Sequence, residues 1–306
     1  MKAALVPLAA ALLLSGCAAA DAGDDGRMPV TTAFYPLQFA AEGVGGEHVR
    51  VTTLTRPGVE PHDLELTPKA VGTLRTADAV VYLAGFQPAV DDAVRSQAAA
   101  TAVDVAGAAR LVAPSEPGHE GEDPAEHAEH AEGGIDPHFW LDPSRLADVA
   151  TYLGTDLARR DPVNAAAYRA NAAALVADLD ALDAGFRAGL ARCRSRELVT
   201  GHAAFGYLAD RYDLHQEGVA GLSPDVEPDA AMLRDLSVRV RQAGVRTVYA
   251  ESLVSPDLAQ TVAREAGARV AVLDPLEGIT EASRGRNYLE VMRANLATLR
   301  AGQECS

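Results

Sequence analysis

Residues 161–192 read DPVNAAAYRANAAALVADLDALDAGFRAGLAR, and this stretch decides how the chain is organised. Apolar residues recur at helical spacing, no proline follows Pro162, and Gly185 and Gly189 are the glycines in the stretch. Asp161 as N-cap with Pro162 in the first turn favours a helix that begins here. At 1.5 Å per residue, about 30 residues form a rod of roughly 45 Å. We therefore predict one long rigid helix over 161–192 that braces a domain on each side.

Short apolar runs alternate with helical stretches on both sides of this helix, which is typical of βα units and a parallel sheet. The predicted strands are residues 29–33, 49–54, 79–83 and 101–104 before the helix, and 197–200, 215–219, 247–251 and 269–273 after it. The predicted fold class is α/β, with mostly parallel sheets. About 290 residues exceed what one hydrophobic core usually serves, so we expect two lobes.

The two sets of strands are related by an internal repeat. Val59-Glu60-Pro61 recurs as Val226-Glu227-Pro228, and the pair Val-Tyr at 81–82 recurs at 248–249, both at an offset of 167 residues without a gap. A repeat bounded by strand ends indicates two similar α/β lobes. We place them at residues 29–160 and 193–306, joined by the single helix.

The N-terminus has the features of an export signal. Met1 and Lys2 precede an apolar run that is too short to span a bilayer, followed by Leu-Ser-Gly-Cys ending at Cys17. This tetrapeptide resembles the bacterial lipobox, so residues 1–17 are predicted to be a lipoprotein signal with Cys17 acylated, and 18–28 a flexible tether. An ordinary signal peptide that contains a cysteine is the alternative. Either reading exports the chain, and the first holds it on the extracytoplasmic face of a membrane.

The remaining cysteines and the net charge limit what the exported part can do. If Cys17 carries lipid, Cys193 and Cys305 remain, and an even remainder in an exported protein predicts a disulfide between them. Two free thiols or a thiolate metal site are the alternatives. The formal net charge of −16 argues against nucleic acid as a partner and favours cations.

Four segments far apart in the chain each place a metal-ligating residue beside a turn: His62, His138, His202 and Asp274. Three imidazoles and one carboxylate complete a tetrahedral zinc shell. The ligands lie more than sixty residues apart, unlike those of a zinc finger, and fall two in each lobe, which predicts a site between the lobes. Taken singly, each histidine has a structural alternative, as a turn, core or capping residue. Glu60 is a possible partner of His62, or belongs to the repeated turn.

A second group of histidines lies in residues 116–132, which are rich in acidic residues, proline and glycine. This composition cannot bury enough apolar surface to fold alone. We predict that His119, His127 and His130 capture zinc weakly and help to deliver it to His138. A solvated acidic loop with incidental histidines is the alternative.

Four motifs in this order resemble one family: P-H-D-x-E-L-x-P, D-P-H-x-W-L-D-P, V-T-x-H-A-A-F-x-Y-L and L-D-P-L. They look like the zinc-type (ZnuA-like) substrate-binding lipoproteins of bacterial metal ABC transporters, cluster A-I. The resemblance implies two α/β lobes on one rigid helix and metal ligands at the four positions named above. Manganese-type relatives commonly carry glutamate where this chain has His202, so the resemblance favours zinc.

The sequence thus predicts a monomeric receptor that hands Zn²⁺, its transported ligand, to a metal ABC permease and performs no catalysis itself. No phosphate-binding loop motif is present, so ATP would be hydrolysed elsewhere. A manganese or iron receptor or adhesin of the same fold is the nearer alternative. A zinc hydrolase is the more distant one, because catalytic zinc usually keeps a position for water.

Overall fold

The computed structural model describes residues 26–112, 135–224 and 228–306. Cys17 and the histidines at 119, 127 and 130 lie outside these ranges, so the predictions made for them stay predictions.

The first lobe is a parallel sheet of four strands with helices between them. Its strands are β1 (Met28–Thr32), β2 (Val49–Thr53), β3 (Ala79–Tyr82) and β4 (Ala102–Asp104), in the order β2-β1-β3-β4. Its helices are α1 (Tyr35–Gly45), α2 (Pro68–Thr76), α3 (Pro88–Gln97), α4 (Ala106–Ala109) and α5 (Pro143–Arg160). Proline in the first turn of α1, α2, α3 and α5 helps to start each of these helices, because it needs no backbone partner there.

The linking helix α6 (Ala165–Leu190) has 26 residues, about 39 Å in length. It packs against α1 and α5 of the first lobe and against α10 (Tyr288–Gly302) of the second. Its start differs from the prediction, because α5 continues to Arg160 and the chain must turn before it can begin a new helix. Asp161 therefore ends α5, and its carboxylate accepts hydrogen bonds from the Asn164 side chain and from Tyr168 Oη, at 2.7 and 2.8 Å. The prediction that Asp161 is the N-cap of α6 was wrong; Asn164 holds that position.

The second lobe repeats the topology of the first. Its strands are β5 (Glu197–Thr200), β6 (His215–Gly218), β7 (Thr247–Ala250) and β8 (Arg269–Val272), in the parallel order β6-β5-β7-β8. Its helices, besides α10, are α7 (Gly206–Arg211), α8 (Ala230–Gln242) and α9 (Asp257–Ala266). Each of the eight strands lies within one residue of its predicted bounds, and the shared order confirms the internal repeat.

The disulfide predicted from the cysteine count is present between Cys193 and Cys305, which are 112 residues apart in the chain. It joins the segment after α6 to the segment after α10, so both ends of the second lobe are tied together. Closing a loop of this length stabilises a fold by about 4–5 kcal/mol in the chain-entropy model. Among the residues described, none of the helices combines the length and the apolar character that a membrane crossing requires.

Candidate metal centre

Four side chains converge in the cleft between the lobes: His62, His138, His202 and Glu277. His62 lies between β2 and α2, His202 directly follows β5, and Glu277 follows β8, so three of them come from segments beyond the carboxyl ends of parallel strands. Ligands of open α/β sheets bind at this edge, where connections leave the sheet and diverge. Two of the four side chains come from each lobe, but Glu277 stands where the sequence analysis placed Asp274.

Five of the six separations between the ligand atoms are close to those around a tetrahedral ion, and the sixth, between His62 and His202, lies within 4.8 Å. His62 Nε2 and His138 Nε2 are 3.2 Å apart, and each lies 3.2 Å from Glu277 Oε1. His202 Nε2 is 3.4 Å from His138 Nε2 and 3.5 Å from Glu277 Oε1. An ion that binds four ligands at about 2.0–2.1 Å holds them roughly 3.3–3.4 Å apart. The second carboxylate oxygen of Glu277 is buried without a hydrogen-bond partner among the described residues, so an ion in the cleft would also satisfy this atom.

His138 is fully buried and is oriented by Asp136. The ring atom Nδ1 lies 2.8 Å from Asp136 Oδ1, and the backbone N–H of His138 donates to the same oxygen at 2.9 Å. Metal-bound histidines usually donate their second ring N–H to such a carboxylate, which leaves Nε2 free to bind metal. The contact therefore holds His138 in the tautomer and orientation that a ligand needs.

His202 is oriented in the same way by Glu251, the first residue after β7. Glu251 accepts from the backbone N–H of His202 at 2.7 Å and lies 2.5 Å from its Nδ1. A Cβ at Gly201 would lie 2.7 Å from the Glu251 carboxylate, so glycine permits this close approach. Each of the two fully buried histidines thus has a carboxylate beside its Nδ1.

His62 has a different environment. Glu60 accepts from its backbone N–H at 2.9 and 3.0 Å, but its carboxylate lies 3.8 Å from the ring nitrogen Nε2, beyond hydrogen-bond distance. The ring packs edge-on against Phe86 and its side chain is 10% exposed, whereas His138 and His202 are inaccessible to solvent. His62 therefore lies on the open side of the cluster.

The structure corrects the predicted fourth ligand, because it places Glu277 and not Asp274 beside the three histidines. The Asp274 carboxylate is already used within its own turn. It accepts from the backbone N–H of Leu276 at 2.8 Å and from Ser283 Oγ at 2.9 Å. Leu276 adopts a left-handed conformation with φ of 60°, and this turn directs the next residue, Glu277, into the cleft. Asp274 therefore shapes the turn that presents the ligand.

The four ionisable groups of the cluster are close enough to shift one another's pKa values. Burial lowers the pKa of His62. Burial also opposes the charged forms of His138 and His202, but hydrogen bonds to their carboxylate partners outweigh it, and they raise the pKa of His202 to about 10. The same histidines hold the pKa of Glu277 well below its ordinary value, although burial alone would raise it. The three histidines and Glu277 thus shift one another's pKa values through direct contact.

Sequence reasoning missed Glu277, Asp136 and the specific role of Glu251. One local signal was available, since Glu60-Pro61-His62 and Asp136-Pro137-His138 share the pattern acid-Pro-His. In both, the histidine N–H returns to the acid two residues earlier, a turn that an acid at this spacing favours. Glu251 and Glu277 have no comparable local signal, because their contacts depend on how β7 and β8 lie beside β5.

Two α/β lobes on a single helix, with a cluster of three histidines and one carboxylate between them, define a two-lobed α/β protein with a candidate metal centre. Residues 30–302 match the family described as zinc-uptake complex component A, periplasmic, and the chain belongs to this family. This confirms the resemblance drawn from the four motifs.

Similar proteins carry corresponding names. The chain is 36% identical over 288 residues to the zinc-binding protein AdcA of Streptococcus pyogenes, covering 90% of this chain and 56% of that protein. It is also 36% identical over 300 residues to the high-affinity zinc uptake system protein ZnuA of Bacillus subtilis, covering 94% and 93%. The chain thus spans a little over half the length of the AdcA relatives and nearly the whole of this ZnuA.

Solved structures show the same fold. Zn(II)-bound AdcA from Streptococcus pneumoniae superposes with a TM-score of 0.75 at 32% identity, covering 91% of this chain and 58% of that one. A laminin-binding adhesin of Streptococcus agalactiae superposes with a TM-score of 0.78 at 28% identity, covering 90% and 99%.

Proposed function

We propose that this protein is an extracytoplasmic receptor that binds Zn²⁺ through His62, His138, His202 and Glu277 and delivers it to an ABC importer. The observation that carries the proposal is the cluster itself, whose four ligand atoms lie within 4.8 Å of one another. Membership of the zinc-uptake family and the names of the relatives support the choice of metal and of role.

The donor set favours zinc over manganese or iron. Three imidazole nitrogens and one carboxylate suit a borderline ion, whereas carboxylate and carbonyl oxygens suit harder ions such as manganese. Cobalt, nickel and copper would also bind well in vitro, because affinity for such ligands follows the Irving–Williams order. The availability of each metal, together with the tetrahedral geometry of the site, would then select zinc.

A closed ligand set favours a receptor over a hydrolase. Catalytic zinc typically has three protein ligands and keeps one position for water, but here a fourth protein ligand reaches the same point. The ion would therefore be held and not used for catalysis. Each lobe supplies two ligands, so separating the lobes would halve the coordination and release the ion.

Four further assignments belong to this proposal. We propose acylation at Cys17 as the membrane anchor, a metal ABC permease as the partner, a monomeric receptor, and weak zinc capture by His119, His127 and His130. Deleting residues 116–132 tests the last of these assignments. High-affinity zinc binding should persist, while delivery of zinc to the site that contains His138 should become slower. No change in either property would contradict it.

The metal assignment is tested by expressing the mature protein in medium that contains several metals and measuring bound metal by mass spectrometry. We expect one zinc per chain and tight binding in competition with a chromophoric chelator. A chain that returns loaded with manganese or iron, or without metal, would overturn the proposal.

His202 offers a test of metal preference. The variant His202→Glu replaces a nitrogen ligand by a second carboxylate, so we expect its zinc affinity to fall by orders of magnitude relative to manganese. Competition titrations with both ions measure the ratio. An unchanged ratio would show that selectivity does not depend on this position.

A further inference from the structure

Tyr207, in α7 of the second lobe, makes two hydrogen bonds to the first lobe. Its hydroxyl donates to the backbone carbonyl of Asp136 at 2.9 Å and accepts from the backbone N–H of Val112 at 3.0 Å. Tyr207 is 3% exposed and its contact with Asp136 is buried, whereas Val112 lies at the surface. A single phenol therefore connects the lobes beside the metal centre.

Asp136, the residue that Tyr207 contacts, is the one that orients His138 through Nδ1 and the backbone N–H. The first residue of α7 lies against the same aspartate, because a Cβ at Gly206 would be 2.9 Å from Asp136 Oδ2. Consecutive residues of α7 thus lie beside Asp136, with Gly206 next to its carboxylate and Tyr207 bonded to its carbonyl. The same helix follows His202 by only a few residues, so α7 relates a ligand of one lobe to a ligand of the other.

The ring of Tyr207 is itself held in place. The guanidinium of Arg145 lies over it at 4.4 Å from the ring centroid. Arg145 also donates to the carbonyl of Ala109 at 3.0 Å and pairs with Asp142, the N-cap of α5, at 3.3 Å. Replacing the hydroxyl alone would leave this stacking intact while removing both hydrogen bonds.

We propose that Tyr207 is a positioning residue of the metal site, whose hydroxyl fixes Asp136, and through it His138, across the interface between the lobes. The inference rests on the proposed function, because it takes zinc as the bound ion. When the lobes are together, the hydroxyl sets the orientation of a ligand that belongs to the opposite lobe. Removing it leaves the Asp136 carbonyl and the Val112 N–H without this partner and loosens His138.

The test compares two tyrosine-to-phenylalanine variants of the full mature chain. Tyr207→Phe should weaken zinc binding by roughly 10-fold, the lower end of what outer partners of metal ligands contribute, and should speed zinc dissociation. Tyr212→Phe is the matched control, because Tyr212 directly follows the same helix and donates to Asp183 at 2.9 Å, away from the cluster. It should keep wild-type zinc affinity even if its melting temperature falls.

A second variant, Gly206→Ala, perturbs Asp136 from its other side and should weaken zinc binding in the same direction. This variant tests the role of α7 at Asp136 if Tyr207→Phe does not fold. Affinities are measured by chelator competition well below each melting temperature, so a loss of stability alone does not change them. Wild-type zinc affinity in both α7 variants, or an equal loss in Tyr212→Phe, would overturn the inference. Failure of the wild-type chain to bind zinc would instead overturn the proposed function.

Discussion

The cleft and the linking helix each contain a carboxylate that several side chains contact, but the two charges are balanced differently. Along α6, Asp183 accepts from Arg211 at 2.6 and 2.9 Å, from Arg187 at 3.1 Å and from Tyr212 at 2.9 Å. Two of these partners are permanent cations supplied by the protein. The charge of this carboxylate is therefore balanced by groups of the protein itself.

In the cleft, Glu277 pairs with three histidines, which can balance its charge only when protonated. Its four-residue cluster concentrates electron-pair donors around one point, an arrangement that could hold a metal ion. The comparison teaches that ionisable groups balanced by the protein contribute to stability, whereas groups that converge without a fixed cation are arranged for binding. Affinity and stability should therefore respond to different substitutions.

The largest expected effect is on zinc affinity in Glu277→Gln. The neutral amide keeps the size of the side chain but loses the anionic oxygen, so zinc affinity should fall more than about 100-fold, beyond what outer partners contribute. Zinc affinity is measured well below the melting temperature of the variant, so a change in the stability of the metal-free protein does not alter the result. Chelator competition and thermal unfolding measure the two quantities.

The matched control is Asp274→Asn, which retains an oxygen that can accept from Leu276. We expect its zinc affinity to stay within roughly 10-fold of wild type, because it shapes the turn and does not bind the ion. Equal losses in the two variants would restore Asp274 as a ligand.

A smaller effect is expected from Glu251→Gln, which weakens the orientation of His202. Zinc affinity should fall roughly 10- to 100-fold, because the amide no longer carries the charge that favours donation from Nδ1. Glu60→Gln should cost less, since Glu60 holds the backbone of His62 and its carboxylate lies 3.8 Å from Nε2. Competition titrations of the two variants rank these contributions, and the reverse order would show that Glu60 binds the ion.

The smallest effect on zinc affinity is expected from Asp183→Asn. This variant should instead lower the free energy of unfolding. Burial alone would raise the pKa of Asp183, but hydrogen bonds from Arg211, Arg187 and Tyr212 outweigh it and lower the pKa to about 2. Since Asp183 is partly exposed, the contribution is about 1–2 kcal/mol. The free energy of unfolding in urea should fall by this amount at neutral pH, with unchanged zinc affinity.

The pH dependence follows from the same shift. A pKa that is lower in the folded than in the unfolded state stabilises the fold above about pH 4, and this stabilisation is lost as the pH falls towards 2. Unfolding measured between pH 5 and 2 should therefore show a shallower decline in Asp183→Asn than in wild type. Parallel curves would mean that Asp183 contributes no pH-dependent stability.

Much of the fold could be predicted because its signals are local. Strands and helices alternate in short apolar and amphipathic runs, and the offset of 167 residues marks the second lobe as a copy of the first. The three histidines were also accessible, since each lies beside a turn in a short motif. The start of α6 was missed because Asp161 and Pro162 are as compatible with a turn that ends α5 as with a helix start.

Local sequence patterns were enough to predict the α/β class, the two lobes, the linking helix, the disulfide partners and three of the four residues of the cluster. Only the tertiary structure decided that Glu277 completes the cluster and that Asp274 shapes its turn. It also decided that Glu251 and Asp136 orient the histidines, and that α7 contacts Asp136 across the cleft. The physical reason is that periodicity and turn chemistry act over a few neighbouring residues. The direction of a carboxylate in a cleft depends instead on backbone conformation and on contacts between segments distant in the chain.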